Sequence, residues 1–229
     1  MQYMGSKKKI AKYLVPLLTK YRENRLYIEP FVGSGAIFSH MALPKIGNDL
    51  NKYAVSLLRS IRDGWIPPSV VTIEDYNNVK NTPNKYPDYL VGFIGFGCSF
   101  GGKFFGGYAK NSSCQNYAQW SKNTLLKIAP FLQESLLCCQ EYNDIDIPHN
   151  SFVYCDPPYA NTTKYKNNFD SALFFDWVRK ISRHSRVVVS EYSAPKDFVC
   201  IKKFPVKSTL NKNIPIDRVE KLFVYKSCI

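Results

Sequence analysis

Four consecutive residues, Asp156-Pro157-Pro158-Tyr159, are of types that could hold an amino group on a planar ring. The Asp156 carboxylate and the Pro157 carbonyl can each accept one N–H of an exocyclic amino group. The Tyr159 ring can stack on the face of the ring that carries it. Neither proline has an N–H for a sheet ladder, and both stiffen the chain, so the group is held beyond a strand end. Phe152, Val153 and Tyr154 read as that strand, short and buried. In an open α/β sheet, ligands bind at the carboxyl ends of strands. A strand exit with a capping Asp and a surface Tyr is the alternative, and it accounts for fewer of the four residues.

A second group lies upstream. Residues 26–28 read as the first strand, and Glu29-Pro30-Phe31-Val32-Gly33-Ser34-Gly35 follow it as a turn. Gly33 and Gly35 let the backbone approach a ligand closely. Ala36 to Met41 are expected to open a helix whose N-terminus favours an anion. Ile46 and Gly47 read as the second strand, and Asp49 just after it fills the place of a ribose-binding carboxylate. Asp49 could also cap the helix expected at 51–62, a role for which Asn51 competes.

Asp156-Pro157-Pro158-Tyr159 resembles the catalytic motif of the amino-group DNA methyltransferases, and Glu29 to Gly35 resembles their cofactor motif. The order of cofactor motif, long insert and catalytic motif is similar to that of the Dam-type N6-adenine methyltransferases. The likeness runs along most of the chain and is densest at residues 1–65 and 134–193. It implies a Rossmann-like, S-adenosylmethionine-dependent methyltransferase sheet with a small, mostly helical insert. It implies S-adenosylmethionine as cofactor, held by Tyr3, Lys7, Glu29, Pro30, Phe31, Gly33, Gly35, Asp49 and Asp156. In this reading Tyr3 replaces the family's more usual Trp, Gly5 makes the turn, and Lys7 pairs with the cofactor carboxylate. Taken alone, the same residues read as a solvated basic N-terminus. Tyr142-Asn143-Asp144 would lie near the cofactor's adenine.

The implied reaction is methyl transfer to N6 of a flipped adenine, with Asp156, Pro157, Pro158 and Tyr159 as catalytic residues. Transfer is direct, so no catalytic cysteine is expected, and Cys155 reads as strand filler. Cytosine N4 presents the same kind of amino group and is one alternative. Amino groups of RNA or protein are a second, and a DNA-binding module without catalysis is a third.

The elements that must position these residues fit 229 residues as one α/β domain with a sizeable insert. The catalytic domain is expected over 1–66 and 134–229, and a target-recognition subdomain over 67–133, beginning at Pro67-Pro68. A formal net charge of +13 suggests a polyanionic partner. Between Asp88 and Glu134 there is no acidic residue, while Lys103, Lys110, Lys122 and Lys127 fall there. Phe100, Phe104, Phe105, Tyr108, Tyr117 and Trp120 interleave with them, as rings for bases or as the insert's own core. DNA contacts are expected from Lys103, Lys110, Asn111, Gln115 and Asn116, and from Lys212 and Arg218 in the loop between the last two strands.

The remaining pattern predicts a helix from about residue 10 to 20 that Pro16 kinks or ends, and a strand at 136–141. It then predicts a helix at 169–182 with Leu173, Phe174, Trp177, Val178 and Ile181 inward, and a strand at 187–191. An antiparallel pair at 199–206 and 221–225 closes the sheet. The 7 cysteines have no metal-like spacing and read as reduced thiols of a cytoplasmic protein; the resemblance implies a bacterium, or the bacterial host of a phage. The polar start does not read as a signal peptide, and no run is long enough for a membrane span. DNA is the expected partner, with no metal and no membrane; no oligomeric state is assigned.

Overall fold

The computed structural model describes residues 2–110, 116–158, 169–207 and 217–228. Seven strands form one sheet: β1 (Tyr27–Glu29), β2 (Lys45–Asn48), β3 (Leu136–Cys138), β4 (Phe152–Cys155), β5 (Arg186–Glu191), β6 (Phe198–Lys207) and β7 (Asp217–Tyr225). Their order across the sheet is β3-β2-β1-β4-β5-β7-β6. The first five are parallel to one another, and β7 runs antiparallel between β5 and β6. The order reverses between β1 and β4, which pair directly. In a doubly wound sheet that reversal opens a crevice at the carboxyl ends of the two strands. This is the Rossmann-like α/β sheet that the resemblance implies.

The strands read as apolar runs because both faces are covered. Tyr27, Phe152, Tyr154, Val188 and Leu222 face one hydrophobic cluster, and Ile28, Val153, Cys155, Val187, Val189 and Phe223 face the other. The first face is covered by α1 (Ala11–Arg22), α2 (Lys52–Arg62) and the segment 67–133. That segment is mostly helical, with α3 (Ile73–Asn81), α4 (Asp88–Gly92), a π turn at Phe93–Gly97, and α5 (Tyr117–Ile128). Its Tyr76, Phe93, Phe96 and Leu125 lie in the same cluster as Leu14, Leu18 and Leu58, so it shares a core with that face. The other face is covered by α6 (Ser171–Ile181).

Four expectations are corrected. Ala36 to Met41 form no α-helix, only a single 3-10 turn at Phe38–His40. The buried Lys45 ammonium explains how that crossover is satisfied. Its Nζ donates to the carbonyls of Phe38 and Met41 at 2.9 and 2.8 Å, taking the place of helical amides, and to that of Phe131 at 2.7 Å. Pro16 does not end α1, which runs through it to Arg22. On α6, Leu173 is exposed and Phe175 is buried in its place, because the core stripe is Phe174, Val178 and Ile181 with Phe175 beside it. β3 stops at Cys138, opposite the last residue of β2, Asn48.

Candidate active site

Glu29 ends β1 as a buried carboxyl that accepts the Tyr27 hydroxyl at 2.7 Å. Burial pushes its pKa well above the usual carboxylate range; the Tyr27 hydrogen bond and Lys45 oppose the shift, and the charges of Asp156 and Asp49 add to it. Beyond it the loop is tied to β2. Asn48 is fully buried; its Nδ2 donates to the Pro30 and Gln140 carbonyls at 3.1 and 3.0 Å, and its carbonyl accepts Val32 N–H at 2.7 Å. Gly33 takes a positive φ of 50°, which turns its N–H onto Asp49 Oδ2 at 2.8 Å.

Asp49 Oδ1 accepts Asn51 N–H at 2.9 Å, while Asn51 itself caps α2 by accepting from Tyr53 and Ala54. The cap is therefore Asn51, and Asp49 bridges the ends of β1 and β2. Burial raises its pKa, against the two backbone hydrogen bonds that favour the charged form. With no α-helix after Gly35, the helix-dipole site for an anion does not exist here.

Asp156 follows β4, the neighbour of β1. Lys7 is buried, and its ammonium stands 2.6 Å from Asp156 Oδ1 and 3.8 Å from Glu220 Oε2. It is thus not a solvated surface lysine; it joins the end of β4 to β7. Tyr3 lies between the glycine loop and the segment 67–133, with its ring 4.8 Å from that of Phe96. A Cβ on Gly33 would come within 3.1 Å of that ring. Phe31 and Tyr142 stand with ring centroids 5.5 Å apart beside the carboxyl ends of β1 and β3. Pro157 is buried and Pro158 half-buried. Cys155 is fully buried, and burial pushes its thiol pKa well up, which suits a filler and not a nucleophile.

The N-terminal segment is docked on the insert. Met4 N–H donates to the Gly102 carbonyl at 3.2 Å, and a Cβ on Gly102, whose φ is 68°, would overlap the backbone of Gln2 and Tyr3. Gly102→Ala is therefore expected to cost about 2 kcal/mol or more in a denaturant melt, from backbone strain and loss of this docking. An unchanged midpoint would contradict the contact.

Within the insert, Lys103 and Lys110 are exposed and Phe100 is 67% exposed. Phe104 stacks on Tyr53, Phe105 packs on Tyr76, and the Tyr108 hydroxyl donates to the Val71 carbonyl, so these three rings belong to the core. Asn116 is the N-cap of α5, accepting from Gln119 and donating to the Ser69 carbonyl. One amide hydrogen and one lone pair of its oxygen are thus used in the fold. Arg218 falls on β7. Tyr159, Asn111, Gln115 and Lys212 lie outside the described residues.

Sequence reasoning missed Asn48, Glu220 and Ser190. The signal for Glu220 was an acid next to a strand read four residues too short. Among the described residues, no group of three or more His, Cys, Asp or Glu could hold a metal ion, and no helix is long and apolar enough to cross a membrane.

Residues 3–91 match the model of the D12 class N6 adenine-specific DNA methyltransferases. No curated protein matches the chain. Among solved structures, the rRNA methyltransferase aviRa from Streptomyces viridochromogenes aligns with 99% of this chain and 87% of its own, at 10% identity and a TM-score of 0.48. The putative methyltransferase yhhF from Escherichia coli aligns with 98% of this chain and 89% of its own, at 9% identity and a TM-score of 0.43. SMU.1697c, a putative methyltransferase from Streptococcus mutans in complex with SAH, aligns with 92% of this chain and 96% of its own, at 9% identity and a TM-score of 0.39.

Proposed function

We propose that this chain transfers the methyl group of S-adenosylmethionine to the N6 amino group of adenine in DNA. The observation that carries the reading is the meeting of three strand ends at the point where the strand order reverses. The glycine loop after β1 is tied to Asp49 after β2 through Gly33 N–H, while Ser6 lies 3.3 Å from Ser34 of that loop and its neighbour Lys7 reaches Asp156 after β4. The match of residues 3–91 supports adenine in DNA as the acceptor.

The residues present fit the cofactor. Asp49 is a half-buried carboxylate in the position after β2 that binds ribose hydroxyls in such folds, and the Tyr3 ring packs against Gly33 beside it. Phe31 and Tyr142 offer ring faces for an adenine. Asp156 and Glu220 both face the Lys7 ammonium. When bound, the cofactor supplies an electrophilic methyl group. The Asp156 carboxylate and the Pro157 carbonyl accept the two amino hydrogens of the flipped base, which draws the nitrogen lone pair out of the ring. Tyr159 stacks on that base. No residue forms a covalent intermediate.

Residues 1–66 and 134–229 act as the catalytic domain and 67–133 as the target-recognition subdomain. The exposed Lys103 and Lys110 meet phosphates, and the exposed Phe100 is placed for a base. Lys212 and Arg218 add contacts from the loop end of β7. The setting is the cytoplasm of a bacterium, or of a phage's bacterial host.

Calorimetric titration with S-adenosylmethionine tests the reading against a DNA-binding module without catalysis. Saturable one-site binding is expected; DNA binding without any cofactor binding would contradict it.

A further inference from the structure

Glu220 stands in β7 as a buried carboxylate on the face that Leu222 turns into the core. It is 4% exposed, and Leu222, two residues on and on the same face, is fully buried in the core. Taking a carboxylate out of water costs several kcal/mol unless it is paired and hydrogen-bonded, and an apolar residue of similar size is often as stable. A strand that breaks its own pattern in this way marks a position kept for function.

The partners of Glu220 show what that function is. Its Oε1 accepts the Ser190 hydroxyl at 2.7 Å, and Ser190 is fully buried in the adjoining strand β5. Its Oε2 lies 3.8 Å from Lys7 Nζ, and Lys7 reaches Asp156 Oδ1 at 2.6 Å. Ser190, Glu220, Lys7 and Asp156 thus form one line of contacts, from the middle of the sheet to the motif at the end of β4. Lys7 comes from a three-residue turn, Lys7–Lys9, outside the sheet, so a second anchor is needed to fix its ammonium. Without that anchor a flexible four-carbon stem would hold Asp156 in no single orientation.

The charges act in the same direction. Burial pulls the Lys7 pKa down, but Asp156 and Glu220, with Tyr192, more than offset it, and the net shift is upward. Among the described residues, Asp156 after β4, Glu220 on β7 and Tyr192 after β5 act on the ammonium. A lysine whose pKa is raised by its partners stays charged to higher pH, and losing one carboxylate moves its titration to lower pH.

We propose that Glu220 is a positioning residue: anchored by Ser190, it holds the Lys7 ammonium against Asp156 and so fixes the carboxylate that receives the acceptor amino group. The proposal rests on the reading of Asp156 given above.

The test compares wild type with Glu220→Gln. Glutamine keeps the shape and can still accept from Ser190, but it carries no charge. Two quantities are read: the titration of the Lys7 ammonium by nitrogen-15 NMR in the protein alone, assigned with Lys7→Arg, and single-turnover methyl transfer to DNA. Lys7 should titrate at lower pH in Glu220→Gln. Transfer should slow by roughly tenfold or more, with cofactor affinity held within about threefold. The alkaline limb of the rate profile should move to lower pH along with Lys7, a change that a merely structural role would not produce.

An identical Lys7 titration in the two proteins overturns the proposal, and so does a shifted titration with unchanged transfer. Should Glu220→Gln fail to fold, Ser190→Ala releases the same anchor without removing the charge, and transfer should slow in the same direction; unchanged transfer there also overturns it. If wild type transfers no methyl group to DNA, the proposed activity fails, while the Lys7 titration still decides whether Glu220 holds Lys7.

Discussion

Asp156→Ala should lower the turnover of methyl transfer on the order of a hundredfold or more, while the protein stays folded and binds S-adenosylmethionine. The size follows from where the contact acts. A preorganised acceptor that strengthens its hold as charge develops on the amino nitrogen lowers the barrier by several kcal/mol, and the loss falls on kcat. The fold should survive because Asp156 stands on a loop after β4, and Glu220 still faces the Lys7 ammonium once the carboxylate is gone. Asp156→Asn keeps an acceptor oxygen without the charge, so its turnover should fall between those of wild type and Asp156→Ala. Single-turnover rates with a thermal melt on each variant check this. A folded Asp156→Ala protein with near-normal turnover would remove Asp156 from the chemistry.

Asp49→Ala should weaken S-adenosylmethionine binding by about 1.5–3 kcal/mol, roughly tenfold to more than a hundredfold, and leave DNA affinity nearly unchanged. Two losses combine: the carboxylate proposed for the ribose hydroxyls, and the acceptor that holds Gly33 N–H and so shapes the loop after β1. Helix α2 should keep its start, because Asn51 caps it independently. Calorimetry with the cofactor and anisotropy with a labelled duplex separate the two affinities. Unchanged cofactor binding would confine Asp49 to a structural tie between β1 and β2.

The sheet was legible because its strands are short apolar runs ending in residues that cannot continue them. Pro157 closes one run after Asp156, and Asp49 marks the end of another. The closing antiparallel pair was legible as well, though the second strand begins four residues before the expected 221. What was not legible depended on partners distant in sequence. Nothing within residues 36–41 shows that Lys45, donating to the Phe38 and Met41 carbonyls, makes a helix unnecessary there. The face of α6 was misjudged at Leu173 because adjacent apolar residues leave the stripe free to shift by one position.

The site was legible in its types more than in its connections. Lys7, Asp49 and Asp156 could each be singled out, but the pairing of Lys7 with Asp156 spans 149 residues. The bond of Asp49 to Gly33 depends on a positive φ that glycine permits without announcing. Glu220 and Ser190 meet only once β5 and β7 are paired. Asn116 has a use that its place in a basic insert does not show: its amide oxygen caps α5.

The central claim is the atom that receives the methyl group. Unmethylated DNA incubated with the protein and S-adenosylmethionine bearing a deuterated methyl group, then digested to nucleosides and resolved by mass spectrometry, identifies that atom directly. The account predicts label in N6-methyldeoxyadenosine, lost with Asp156→Ala. Label in N4-methyldeoxycytidine, or DNA that stays unlabelled while the protein binds cofactor, would contradict it.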